Sequence, residues 1–483
     1  MHSTHFPHIC EVKSSFFAKL VCGKSKFWLL KAEKACQNGG AGVLYLTFFC
    51  FCMSYYVTTA LIIFLATYAL IVSEKVQRTV IALFGAMLMV LSGVISQQQA
   101  IEHIDFNTLA LLIGMMIQVL VLSKTGVFRF LSVWAAQKTN GNPVALLIAL
   151  SVMVAGCSAL LDNVTTVLLT VPITFTLTRD LKISPFPFVI AQIMASNIGG
   201  TCTMIGDPPN IMIASKVKEL SFNDFIVNLT LPCLISFVLT VAILIFLYRK
   251  EFAKVSKNHN RIMNIKLSGL IRSPRLLWRC LFTLAFTIVL FCSHSLIPNW
   301  GLESGTIAVT GASLLLLLTM PDREKALELI LSKVEWTTIF FFVGLFVLVG
   351  GLEVNGIINW MAAQTMALTG GEPVATTMSV LWLSAIMSAF VDNIPFVATM
   401  IPLVQDMGAM GYANLEPLWW ALSLGACLGG NGTVIGASAN VVALGLARQH
   451  NLRVSFMQYF VIGFPLMLMS VGISSLYLWL RFL

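Results

Sequence analysis

Charge is what this chain has least of. Only 11% of its 483 residues are charged, whereas 58% are hydrophobic. A soluble domain of this length covers itself with far more charge, so a soluble protein is excluded. Acids are scarcer than bases, 21 Asp and Glu against 30 Lys and Arg. No Walker loop, HExxH, GxSxG or nucleophile triad is present, so neither an ATP-driven pump within the chain nor an enzyme is expected. The eleven cysteines are scattered through apolar runs with no CxxC pair and no neighbouring histidine. That pattern suits small buried hydrophobes better than disulfides or zinc ligands. No cofactor and no catalytic residue is assigned.

What the chain does have is apolar runs of spanning length, at 53–72, 77–95, 107–122, 227–248, 280–297, 303–320, 336–352 and 456–480. About 20 such residues cross the hydrocarbon core of a bilayer. The net charge of +9 is concentrated: nine bases and one acid, Glu251, lie between Arg249 and Arg279. Bases clustered in a loop between spans mark the cytoplasmic side, which argues against nucleic acid as a partner. Residues 1–52 differ from the rest, with six lysines and an apolar patch at 42–52 that runs into the first span. No signal peptide is recognisable there. Two explanations stand side by side, an authentic basic segment or a start extended upstream of a natural initiator at Met53. The organisation expected is this segment, a first membrane repeat over 53–248, a basic cytoplasmic linker over 249–279 and a second repeat over 280–483.

Self-comparison carries the most information. Asp162-Asn163 recurs as Asp392-Asn393, Pro172 as Pro402, Gly199-Gly200 as Gly429-Gly430, Thr203 as Thr433, Ile205-Gly206 as Ile435-Gly436 and Asn210 as Asn440, always 230 residues apart. Gly114 and Gly344, Gly126 and Gly356, and Pro143-Val144-Ala145 and Pro373-Val374-Ala375 keep the same offset. IALFGAMLM (81–89) matches IAVTGASLL (307–315) at a slightly different one. Each copy reads as three spans, a short amphipathic segment, a re-entrant hairpin (143–178 and 373–405), an interrupted span and a last span. About five crossings per copy is an odd number, so the second copy is inverted. The loop charges agree: Lys124, Arg129 and Lys138 lie inside, Glu353, Glu372, Asp406 and Glu416 outside, and Arg448 and Arg453 inside. The same count puts residue 53 outside, at odds with the six lysines before it. The fold class is an all-α polytopic membrane protein.

Inverted repeats with broken helices place a binding site near the midplane where the repeats meet. Two spans here are interrupted by flexible polar residues, at 195–210 and 425–440. Their candidate binding residues are Ser196, Asn197, Gly199, Gly200, Thr201, Thr203, Asp207 and Asn210 in the first, and Gly429, Gly430, Asn431, Thr433 and Asn440 in the second. The glycine pairs release the backbone from helical geometry, and Pro208 and Pro209 remove donors. Freed carbonyls can then hold a cation, and half-helix N-termini an anion. The competing explanation is that the glycines merely allow close helix packing. The hairpin tips add Asp162, Asn163, Thr165 and Thr166, and Asp392, Asn393 and Pro395. A carboxylate in a span is expensive and therefore usually functional, so Asp162, Asp207 and Asp392 are candidate proton- or cation-coupling groups. Capping of the second hairpin arm is the structural alternative for the tip aspartates. Asp207 has Ala437 as its counterpart and Thr201 has Asn431, which suggests one coupling site rather than two equal ones. His103, His294 and His450 sit isolated at span ends and read as solvated.

At LLDNVTTVLLTVPI (160–173), SNIGGTCTMIGDPPNIMIAS (196–215), FVDNIPFVATMIPLV (390–404) and GGNGTVIGASANVVALG (429–445) the chain resembles the ion transporter superfamily. It looks most like the branch of arsenite permeases, the melanosomal P protein and sodium/proton antiporters, with citrate and dicarboxylate transporters as more distant relatives. The resemblance covers about 53–483. It implies a scaffold domain, a mobile transport domain, often a homodimer, and Na+ ligands that map to Asn163, Thr165, Thr166, Asn197, Asn393, Gly429 and Asn431. The dicarboxylate branch carries Ser-Asn-Thr at both tips where this chain has Asp-Asn-Val and Asp-Asn-Ile, which favours inorganic substrates. The expectation is a multi-pass inner-membrane, secondary active permease for an inorganic anion or arsenite, coupled to H+ or Na+. The alternatives are a Na+/H+ antiporter, a passive anion channel or a citrate/dicarboxylate transporter.

Overall fold

The computed structural model describes residues 40–73, 75–253, 267–294, 302–319 and 324–483. Residues 1–39 and 254–266, on which the readings of the N-terminal segment and most of the basic linker fall, lie outside the described residues. Among those described there are twenty α-helices, a short 3-10 turn at Leu267–Gly269 and no strand. The first ten helices are α1 (Gly40–Val72), α2 (Arg78–Leu91), α3 (Gln97–His103), α4 (Phe106–Ser123), α5 (Val127–Lys138), α6 (Pro143–Leu160), α7 (Asn163–Leu181), α8 (Phe186–Thr201), α9 (Pro208–Lys216) and α10 (Phe222–Phe252). The second ten repeat the order: α11 (Pro274–His294), α12 (Ser304–Thr319), α13 (Glu324–Leu331), α14 (Trp336–Val354), α15 (Ile357–Thr369), α16 (Pro373–Phe390), α17 (Asn393–Ala409), α18 (Glu416–Gly429), α19 (Ser438–Gln449) and α20 (Phe456–Phe482).

Eight helices are long and apolar enough to cross a membrane, namely α1, α4, α6 and α10 in the first copy and α11, α14, α16 and α20 in the second. The apolar α2 and α12 are shorter. The protein is a multi-pass integral membrane protein of two repeats. Helix α1 runs from Gly40 to Val72, and its membrane-spanning part is Tyr55–Val72.

The hairpins are α6–α7 and α16–α17. Each first arm opens on a proline in its first turn behind a capping side chain, Asn142 before Pro143 and Glu372 before Pro373. Each second arm opens on an aspartate whose carboxylate caps it. Asp162 accepts from Thr165 N at 3.0 Å and Asp392 from Ile394 N at 3.2 Å.

The described chain forms two compact units, one of residues up to Ile104 with Val343–Gln364, the other of Asp105–Phe342 and Thr365–Leu483. In the first, Gly344 of α14 seats on α2, where an added Cβ would stand 2.7 Å from the Ala82 carbonyl carbon. In the second, Gly114 of α4 seats on α12, 2.5 Å from the Ala308 carbonyl carbon by the same measure. Gly114 and Gly344 are counterparts in the duplication, as are Ala82 and Ala308. Within the second unit α8 and α18 are buried on almost every side. The first packs on α6, α7 and α10, the second on α16, α17 and α20. Contacts between copies are reciprocal: α7 packs on α19 and α17 on α9, the pattern of a pseudo-twofold pair.

Two histidines expected to stand isolated do not. His103 Nδ1 lies 2.7 Å from Gln99 O and Nε2 lies 3.7 Å from Glu353 Oε2, with the ring pressed on Gly350, where no side chain intervenes. The His450 ring stacks on Phe175 at 4.6 Å between centroids. The side chain of His294 lies outside the described residues.

Candidate functional site

Both interrupted spans break where the glycine pairs and prolines predict. The helix stops at Thr201 and resumes at Pro208, and stops at Gly429 and resumes at Ser438. One asparagine closes each gap. Asn210 Nδ2 donates to Thr201 O at 3.0 Å and Thr203 O at 2.9 Å; Asn440 Nδ2 donates to Gly430 O at 2.7 Å and Thr433 O at 2.9 Å. Carbonyls released by the break are thereby satisfied, as they must be at membrane depth. Both donors are committed, so each amide oxygen is forced to face away from its own loop. Thr203 and Thr433 tie the loops to the hairpins by donating to the Ala159 and Ala389 carbonyls. The glycines chiefly serve packing. A Cβ at Gly429 would stand 2.5 Å from Ala385 O, and one at Gly206 2.5 Å from Gly200 O and 2.6 Å from Ser158 O. Gly199 is pressed on Ala155 in the same way.

The Asn440 amide oxygen faces Asn197. Its Nδ2 donates to Asn440 Oδ1 and to Asn431 Oδ1, both at 2.9 Å, and its Oδ1 accepts from Asn163 Nδ2 at 3.4 Å. Four asparagines of both copies thus form one buried network. At the counterpart of Asn197 stands Cys427, whose thiol lies beside Asp207 and donates to Asn210 Oδ1 at 3.6 Å. Ser423 donates to the same oxygen at 2.6 Å. Asp207 is fully buried. Its Oδ1 accepts from Asn393 Nδ2 of the other copy at 3.2 Å, and Oδ2 has no hydrogen-bond donor.

Asn393, next to Asp392, reaches Asp207, and Asn163, next to Asp162, reaches Asn197, so the two hairpin tips and the first break converge. Thr165 donates its hydroxyl to the Asp162 carboxylate and Thr166 donates to the Asp162 carbonyl at 2.9 Å. Ser438 donates to Asp392 Oδ2 at 2.9 Å. Capping and a place at the centre therefore coincide in the same two side chains. Pro395 occupies the α17 position equivalent to Thr165, so the second tip lacks that hydroxyl.

Of the residues read as Na+ ligands, Asn163, Asn197 and Asn431 come together. Asn393 does not join them, because it is drawn to Asp207, and Gly429 is held against α16. Thr201 and Ser196 turn their hydroxyls to the carbonyls of Asn197, at 2.7 Å, and Asn163, at 3.1 Å. Cys427, Ser423 and Ser438 were not among the candidates. Their counterparts are Asn197, Ile193 and Pro208, so a comparison that rewards identity between copies passes over them. A search for polar residues anywhere near the breaks would have found all three.

An all-helical, multi-pass chain that gathers asparagines and an aspartate in its buried centre defines a membrane transporter. The family model described as citrate transporter (CitMHS) matches residues 68–425, and the chain belongs to that family. It is 40% identical over 432 residues to an uncharacterized transporter of Mycobacterium bovis, across 88% of this chain and 98% of that protein. It is 39% identical over 430 residues to a 46 kDa membrane protein of Mycobacterium leprae, with the same coverage. The P protein of Homo sapiens is 36% identical over 501 residues, spanning 87% of this chain and 59% of that protein. The fold is similar to that of the YdaH transporter of Alcanivorax borkumensis, with a TM-score of 0.53 at 13% identity over 89% of this chain and 98% of that one.

Proposed function

We propose that this protein is a secondary active transporter that moves a small inorganic anion, or arsenite, and that Asp207 takes up the coupling cation, H+ or Na+. One observation carries the reading: a fully buried carboxyl bridges the copies through Asn393 and keeps one oxygen without a donor. A proton or a small cation on that oxygen completes its coordination. The equivalent position, Ala437, heads α19 without a side-chain cap. The first turns of α7 and α17 are capped by their own aspartates, and α9 opens on two prolines that lack N–H groups. Of these four helix N-termini, that of α19 is the one left for an anion, beside the Asp392 carboxylate that its Ser438 already binds. Among the described residues no lysine or arginine takes part in the hydrogen bonds of the centre, which favours a small anion over a trianion such as citrate.

The test is uptake into liposomes holding the purified protein, with labelled arsenite, phosphate or citrate under an imposed pH or Na+ gradient. Gradient-driven uptake that Asp207→Asn abolishes in a folded protein is expected. Flux that follows voltage alone, or full activity in Asp207→Asn, sinks the proposal. The absence of bases from the cluster also supports a second reading, Na+/H+ antiport. That reading requires Na+ to collapse a pH gradient in the same liposomes with no anion present.

A further inference from the structure

The two copies differ most along the second arms of their hairpins. On α7, Thr166, Thr170, Thr174 and Thr178 recur every fourth residue, and each is at most 1% exposed. At the equivalent positions α17 carries Phe396, Met400, Val404 and Gly408. The threonine hydroxyls donate to the carbonyls of Asp162, Thr166, Thr170 and Thr174 at 2.9, 2.8, 3.2 and 2.8 Å. Such back-bonding alone is ordinary in a membrane helix. What lifts it out of the ordinary is Gln192 on α8, where the second copy has Leu422. Gln192 is 1% exposed, its Nε2 donates to Thr174 Oγ1 at 2.6 Å, and its Oε1 has no partner. Rotating the amide by half a turn only exchanges which polar atom is stranded. A stranded buried amide group is destabilising, and a single ordered water relieves it.

We infer that Gln192 and Thr174 hold a buried water within a one-sided hydrated track along α7, and that this track carries protons between the surface and the hairpin tip. The inference rests on the function proposed above and deepens it. Successive hydroxyls stand about 6 Å apart along the helix axis, twice the reach of a hydrogen bond, so waters must alternate with them. A proton crosses such a chain without net movement of any oxygen. Each oxygen accepts one proton and releases another, and a single proton reaches the carboxyl groups at the centre with no change of oxidation state. Sodium would need a shell of oxygens, and the carbonyls along this face are already occupied by the hydroxyls. The track opens just beyond Thr178, where Arg179 and Lys182 are exposed and Asp180 lies between them, half-buried. Between Asp162 and Arg179, α7 carries no charged side chain, and α8 carries none at all. Of the other neighbours, α6 adds only the Cys157 thiol, α5 contributes Arg129 and Lys138, and α19 contributes Arg448 with His450 at its end.

The experiment is proton flux, read by a trapped pH dye in liposomes during solute transport, for wild type, Gln192→Leu and Thr174→Val. Both substitutions install the residue found in the other copy. Each is expected to lower coupled proton flux by about tenfold, the kinetic equivalent of one ordinary hydrogen bond, with solute binding by thermal shift unchanged. Wild-type proton flux that survives in both variants overturns this inference alone. Solute transport by the wild type without proton movement overturns the track as a coupling path, and if neither a proton nor a Na+ gradient drives it, the proposed function falls too. Should the variants fail to fold, a map of the wild-type protein at water-resolving resolution decides: density within hydrogen-bonding distance of Gln192 Oε1 is expected, and a dry amide refutes the inference.

Discussion

Asn440 and Asn210 do a job that neither a glycine nor a proline can do. Each binds two loop carbonyls through one amide nitrogen and turns its oxygen to the centre. Asn440→Ala leaves Gly430 O, Thr433 O and one donor of Asn197 without partners, and should cost about 3 kcal/mol. Thermal unfolding in detergent checks this, and an unchanged Tm would show that the gap closes some other way. Asp207→Asn should behave in the opposite sense. It replaces an undonated carboxyl oxygen in a buried place by an amide, so stability should hold or rise by about 1 kcal/mol while coupled transport is lost. A lower melting temperature, or coupled uptake that persists in the folded variant, would contradict that separation.

At the scale of elements, the crossing of each loop over the end of its own helix depends on bare backbone. Gly206→Ala forces a methyl to within 2.5 Å of Gly200 O, and overpacking of this kind costs about 1–3 kcal/mol. Gly156→Ala on exposed α6, where nothing lies within 4 Å, should be neutral or slightly stabilising, since alanine favours the helix by up to about 1 kcal/mol. Comparing the melting temperatures of the two variants tests the distinction. The elements themselves were legible in the sequence. Hairpins, breaks and amphipathic segments fall within a few residues of their expected places, because prolines, glycines and N-capping aspartates are local signals. What each glycine does was less legible: Gly199 and Gly429 look like binding residues until their contacts with Ala155 and Ala385 are seen. Pairing across copies was hidden altogether. Nothing local to Asn393 reports that its partner is Asp207 rather than Asn163 or Asn431.

For the molecule as a whole, the duplication predicts equal penalties at equivalent seats. Gly114→Leu and Gly344→Leu each drive a side chain into a backbone, one in each compact unit, and should lower the unfolding temperature by similar amounts. A large effect from one and none from the other would mean that the two pairings are not equivalent in solution. The copies diverge where chemistry needs one of something. Asp207 and Gln192 have Ala437 and Leu422 opposite them, and the α7 threonines face apolar counterparts. The first of these differences is legible in the sequence, whereas the threonines look like ordinary residues of a membrane helix until Gln192 is seen against Thr174.

Asn197 of the first copy donates into Asn431 and Asn440 of the second, while Asn393 of the second reaches back to Asp207 of the first. The two breaks are stapled from both sides. Prying the copies apart to let the carboxyl see first one face and then the other would strand several buried amides, at about 1–3 kcal/mol each. Carrying them together strands none. The centre should therefore travel as one block, with the sliding surfaces placed outside the stapled asparagines.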